Sequence, residues 1–456
     1  MAQKKIPLVL YFFILVFVFS PSGVFAEGKK EKVVLSMDEC IKRAVELSPE
    51  IGEARYEVAM YEGKKMQADY SRYPQIDFLA ITAPSPRARG DQVSSPDDQN
   101  HPVISGIFGR SDLTLIQPIY TFGKISNFRN AAEGGIKVSE AGVSKNTSDI
   151  IFRTKQLYYG FLLTKELKSF ILEIREELVE AIDKVEKQLN AGSPWADEID
   201  EYKLKTFLGE VDKNLNEIEK NMAIAKDALK TSVGAPEEAD FDIADGSLLP
   251  GDEPVITLEE GINKARLLRP EFIQLREGIK AREALVKAEK SNYYPMLFAG
   301  ARATLAGATN RDRLHNPFVY DELNQSYGAV FLGLKWAIDF GITKGKVMEA
   351  EAEYNKLLEK KRFADEGIPF QVRKVYSEIK EAKQSIAATE SAHRNAKKWL
   401  VAAVANFDMG VGEAKEIAEA VKMYAFSRAD NLQSIYNEKI AYANLYYLTG
   451  MDTAER

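Results

Sequence analysis

The chain has one cysteine, Cys40, and only three histidines in 456 residues. A lone cysteine cannot close an internal disulfide, and it excludes a multi-cysteine zinc site. The histidines lie far apart and the ten methionines are scattered, so no bound metal or other cofactor is expected. Basic residues are not in excess. Lys and Arg number 61 against 68 Asp and Glu, and the net charge of −7 argues against a nucleic-acid partner. No phosphate-binding glycine loop and no nucleophile–base pattern occurs, so the chain is not expected to be an enzyme. After the N-terminal stretch, no apolar run approaches the roughly 18 residues of a membrane-spanning helix.

What is present begins with residues 1–26. Lys4 and Lys5 precede the apolar run "IPLVLYFFILVFVFS", and "PSGVFA" ends it on small residues. That order is a secretory signal peptide, expected to be cut after Ala26. The mature chain is therefore an exported protein, and Cys40 lies too far past the cut to carry a lipid.

The mature chain is a tandem repeat. "LSMDECIKRAVELSPE" (35–50) lies over "ITLEEGINKARLLRPE" (256–271), and the same offset of 221 places Tyr73-Pro74 on Tyr294-Pro295. Further on, with an offset of 218, "QPIYTFGK" (117–124) covers "KWAIDFGI" (335–342) and Gly192 falls on Gly410. The Pro-, Gly- and acid-rich segment 234–254 reads as a linker. The domains are thus 27–254 and 255–456.

Each repeat has the same order. A capped helix opens it: Ser36 with Glu39, and Thr257 with Glu260, have capping-box spacing. Two strands separated by a polar loop follow, then two long helices. These helices are predicted at 125–190 and 195–233, and at 342–408 and 413–449. Val372, Val375, Ile379, Ala382, Ile386, Thr389, His393, Ala396, Leu400, Ala403 and Phe407 alternate spacings of three and four. That is a heptad seam, and Leu167, Ile171, Ile174, Leu178, Ala181 and Val185 repeat it. His393 is expected to be an interhelical residue on this seam rather than a metal ligand. A helix of about 65 residues would be about 100 Å long, so the expected form is rods packed side by side.

The strands alternate. Leu297, Ala299, Ala301, Ala303 and Leu305 face one way while Arg302 and Thr304 face the other; Val330, Leu332, Leu334 and Trp336 share a face opposite Gly333 and Lys335. In the first repeat Ile76, Phe78 and Ala80 oppose Asp77. Such strands suit an outer-membrane barrel with lipid outside. At 112–118 the alternation is out of step, because Leu113 and Leu115 fall on the face otherwise expected to line the lumen. Four strands cannot close a barrel, and known barrels begin at about eight. A membrane-spanning form would need several copies; three would give twelve strands.

In "LEEGINKARLLRPE", "YYPMLFAGA", "FLGLKWAIDFG" and the order of elements, the sequence resembles the TolC family of bacterial outer-membrane efflux and secretion channels. The resemblance spans nearly all of the mature chain. It implies a mainly α fold with a small β part: a homotrimer whose long coiled-coil helices build an α-barrel through the periplasm below a 12-stranded β-barrel. Such a protein sits in outer-membrane lipid as the exit duct of a tripartite efflux or type I secretion system, docked to a periplasmic adaptor and an inner-membrane pump. The alternative reading is an exported periplasmic coiled-coil scaffold that never enters lipid.

The resemblance also assigns roles at the hairpins. Their tips, Gly192, Ser193, Pro194 and Trp195 in one and Gly410, Val411, Gly412 and Glu413 in the other, would dock the adaptor. Glu416 and Glu419, with Glu198 and Glu201, would form the acidic entrance. Family members usually have Asp where Glu198 and Glu416 stand, so the role carries over without the geometry. "DFG" (339–341) is expected to be a strand-to-helix turn, and "RGD" (89–91) a chance match in an external loop.

Overall fold

The computed structural model describes residues 32–90, 103–192, 197–251, 256–313, 318 and 320–454. The expected signal peptide lies outside them. Helix begins where the capping signals place it, but each opening helix is two. α1 (Met37–Leu47) starts at Ser36, whose side chain accepts from the Glu39 amide while the Glu39 carboxylate accepts from the Ser36 amide at 2.8 Å. α2 (Pro49–Tyr70) follows after Ser48, with proline at its first position, where a missing N–H costs nothing. In the second repeat α5 (Leu258–Leu268) and α6 (Pro270–Lys290) divide at Arg269 in the same way.

The long helices fall as predicted. α3 (Lys124–Asn190) and α7 (Ile342–Asp408) each have 67 residues, about 100 Å of helix. α4 (Glu198–Ser232) and α8 (Ala414–Thr449) return alongside them, and α9 (Met451–Ala454) ends the described helices. Both heptad seams are core. Val372, Val375, Ile379, Ala382 and Ile386 are buried on α7, and Ile171, Ile174, Leu178, Ala181 and Val185 on α3. The helices form a wall of rods packed side by side. In the half next to the sheet, α2 packs on α3, α3 on α6 and α6 on α7. In the far half, α4 packs on α3, α3 on α8 and α8 on α7. Two continuous rods thus alternate with two that are made of successive pieces.

The sheet order is β2 (Gln75–Pro86), β3 (Ile104–Tyr120), β5 (Met296–Ala308), β6 (Gln325–Lys335), antiparallel throughout. β3 and β5 join the repeats, which leaves β2 and β6 as edges. The register corrects one strand. Ile76 pairs with Leu115, Leu115 with Ala301 and Ala301 with Val330; Phe78, Leu113 and Ala303 form the next rung. Residues directly opposite one another share a face, so Leu113 and Leu115 lie with the apolar set. The register shifts between Pro118 and Tyr120. That bulge adds a residue and inverts the parity counted back from "QPIY". The opposite face carries Asp77, Thr114 and Arg302 on one rung and Asp112 and Thr304 on another. Trp336 falls one residue beyond β6 rather than within it.

The linker is the second correction. Within 234–254 lies β4 (Asp240–Ile243), which pairs in parallel with β1 (Lys32–Leu35). Phe241, Ile243 and Leu248 are buried with Leu35, Cys40, Tyr158 and Leu229. This belt sits at mid-height on the wall, where α4 ends and α1 begins.

Candidate functional site

Two hairpins lie at the ends of α3 and α7 remote from the sheet. In the second, Met409 ends the helix and Gly410 follows at φ 74°. The Gly410 amide donates to the Phe407 carbonyl at 2.9 Å, and the Val411 amide to Asn406 at 3.0 Å. These are the two bonds of a Schellman turn, and the left-handed residue between them favours glycine. Gly412 is needed for a different reason: a Cβ there would come within 2.9 Å of the Asn406 side chain and the Phe407 amide. Val411 is left 76% exposed at the tip. Glu413 then caps α8 through backbone alone, its carbonyl accepting from the Glu416 amide.

The first hairpin has the same plan with different chemistry. Gly192 has φ 69°, and Asp197 caps α4 by accepting from the Ile199 amide at 3.0 Å. Ser193, Pro194 and Trp195 lie outside the described residues. The aligned isoleucines part company: Ile417 is 3% exposed in the core, whereas Ile199 is 57% exposed beside Tyr202. The two hairpins are thus not interchangeable surfaces.

The four glutamates also separate. Glu416 and Glu198 are exposed and stand in the first turns of α8 and α4, where a negative charge is favoured by the helix dipole. Glu419 is exposed with Lys415 at 3.8 Å, and it lines a shallow groove with Tyr202, Phe207 and Lys422. Glu201 is different. It pairs with Lys205, which reaches Glu186 on α3 at 2.8 Å. The two carboxylates push the Lys205 ammonium pKa up, so Glu201 is engaged in holding the hairpin together. Lys184 with Asp408 at 3.6 Å ties the α3 and α7 ends. The family resemblance singled out all four residues as candidates; the cross-helix partner that sets Glu201 apart has no local signal.

On the seam above, His393 stacks on Tyr424 at 5.0 Å, and Phe170 meets that tyrosine edge-on. Burial, followed by the charges of Arg428 and Lys397, holds its pKa below the ordinary histidine value. Among the described residues no group of His, Cys, Asp and Glu could hold a metal.

At the sheet end, Ile76, Phe78, Val330, Leu332, Leu334 and Trp336 are exposed apolar groups, with Leu297 at 39%; Ala299 and Ala301 sit on the same face by register. Asp339 of "DFG" caps α7. Its carboxylate accepts from the Gly341 and Thr343 amides and from the Thr343 hydroxyl at 2.6 Å. Those donors hold its pKa at about 2. Among the described residues, no helix is long and apolar enough to cross a membrane.

Residues 261–451 match the family model described as outer membrane efflux protein. The match takes in 191 of the 456 residues. The matched stretch runs from α5 through β5, β6 and α7 to α9, so it holds the second sheet hairpin and the second helical hairpin. A search of curated protein sequences gave no match. Among solved structures, CusC is 15% identical with TM-score 0.75, over 94% of this chain and 95% of that one. The outer membrane protein VceC from Vibrio cholerae is 16% identical with TM-score 0.74, over 91% and 96%. The Campylobacter jejuni CmeC outer membrane channel is 13% identical with TM-score 0.70, over 96% and 94%. These likenesses show that the matched stretch and the repeat before it together have the fold of TolC-like channels, as the sequence resemblance implied.

Proposed function

We propose that the chain is one third of an outer-membrane duct, the exit path of a tripartite efflux or type I secretion system. The observation that carries this reading is the four-stranded sheet. It is apolar on one face, carries its charged residues among apolar ones on the other, and is open at both edges, β2 and β6. In lipid an unpaired strand edge leaves backbone groups without partners. Further copies close the ring, and three copies give twelve strands and twelve helical rods. The face with Ile76, Phe78, Val330 and Leu332 then meets lipid, and that with Asp77 and Arg302 meets the lumen. The hairpin ends reach through the periplasm to an adaptor and an inner-membrane pump.

Heat-modifiable trimers in the outer-membrane fraction are the expected result of fractionation; release with periplasmic contents would favour the scaffold. A spin label on Cys at Ala299 is expected to report lipid contact. Accessibility to a water-soluble quencher there would overturn the facing.

At the entrance, three copies of Glu416 would make a ring of carboxylates that favours cations, with Glu419 beside it and Glu198 on the neighbouring rods. Replacing Glu416 and Glu419 with Ser is expected to cut cation preference several-fold in planar-bilayer recordings. Selectivity and conductance equal to the wild type would remove the entrance from these residues. Glu201→Ser is expected to act instead through hairpin stability, because its partner Lys205 also serves Glu186.

A further inference from the structure

The turns leading into and out of the strands contain aromatic rings, and the repeat makes their arrangement predictive. Phe122, just after β3, stacks on Tyr294, just before β5, with centroids 4.9 Å apart and planes 12° from parallel. Tyr120 closes on Phe122 edge-on at 4.7 Å. This cluster joins the end of the first repeat's strand pair to the start of the second's, because β3 and β5 are neighbours.

The two stacked rings each have an aromatic counterpart, whereas Tyr120 aligns with Ile338. Phe340 of "DFG" aligns with Phe122 of "TFG", and Tyr73 of "YPQI" aligns with Tyr294 of "YPML". Phe340 follows edge strand β6 and Tyr73 precedes edge strand β2. Phe340 is fully exposed, and Tyr73 is 47% exposed. Tyr73 does not lack local company: it receives a hydrogen bond from Arg72 and tilts against Tyr70. The backbones differ too. φ is positive at Phe122 but not at Phe340, consistent with one ring folded on to its own chain and the other left for a neighbour. Within one chain these two rings flank opposite edges of the sheet. Three strand spacings, about 14 Å, separate those edges, so they cannot meet there.

We propose that Phe340 of one copy stacks on Tyr73 of the next, repeating across the subunit boundary the Phe122–Tyr294 contact made inside the chain. The partner is a second copy of this protein, and the inference rests on the ring-shaped assembly proposed above. A closed trimer would then carry six equivalent aromatic clasps where rods meet strands, three within chains and three between them. An offset stack of this kind adds to the apolar area it covers, and here it would pin the seam at which β6 meets β2.

The test uses the full-length protein in detergent, with Cys at Tyr73 and Phe340 together and a short bifunctional thiol reagent. The buried Cys40 serves as the no-addition control. A denaturant-resistant ladder of dimer and trimer is expected from the double variant and from neither single one. A trimer by light scattering that yields no ladder overturns the clasp while leaving the assembly intact. A monomer by light scattering overturns both. Independently, Phe340→Ala is expected to lower the temperature at which the trimer dissociates, with Phe340→Tyr restoring it; an alanine variant as heat-resistant as the wild type also overturns the clasp.

Discussion

Phe241→Ala is expected to destabilise the protein by about 3–5 kcal/mol, the usual cost of emptying a buried aromatic site. Phe241 is fully enclosed, with Leu35, Tyr158, Leu229 and Leu432 in the same cluster. Its strand β4 completes the only described pairing of β1. The matched control lies in the same segment. Leu249 is 65% exposed while its neighbour Leu248 is buried, so Leu249→Ala should change stability by less than about 0.5 kcal/mol. Denaturant midpoints of the two variants decide the matter. Equal, small effects would mean that 234–254 is a tether, as its composition suggests.

That segment shows where sequence reasoning ends. Four residues, "DFDI", inside a run of Pro, Gly and acids carry no strand signal of their own. They become a strand because β1, some two hundred residues earlier, offers an edge. The seam from Val372 to Phe407 was legible for the opposite reason, since its period of 3.5 lies within one helix and needs no partner to be read. Leu113 and Leu115 lie between these cases. Their alternation is plain, but a bulge at Pro118–Tyr120 decides which face they join. The candidate entrance followed the same division. The family resemblance put Glu198, Glu201, Glu416 and Glu419 forward, whereas Lys205 and Glu186, which take Glu201 out of the exposed set, come together only across α3 and α4.

A second large effect concerns pH. Asp452 on α9 accepts a hydrogen bond from the Ser148 hydroxyl at 3.2 Å, and its Oδ2 is buried without a partner. Burial pushes its pKa up to about 6 from an ordinary 3.8. Between those values the folded state holds a proton that the unfolded chain has released, so stability falls as pH rises from about 4 to 6. Above pH 6 the charged carboxylate costs about 3 kcal/mol, at 1.36 kcal/mol per unit. Asp452→Asn removes the titration. It is expected to raise stability by up to that amount at pH 8 and to leave it unchanged near pH 3. A stability difference between variant and wild type that does not vary across this range would show that the carboxylate stays solvated.

The alternation of whole and jointed rods has a mechanical consequence. α3 and α7 run unbroken past the β1–β4 belt, as does α8, while the rod made of α4, α1 and α2 changes segment there. In the duct proposed above, the belt would serve as a fulcrum for the continuous rods. From it to the hairpins is about 50 Å, the length of the 35 residues of α4 at 1.5 Å each. A tilt of about 5° at the belt displaces a tip by roughly 4 Å, simple geometry on the helical rise. In that proposed assembly, motion too small to disturb the packing around Phe241 would thus change the bore at the far end.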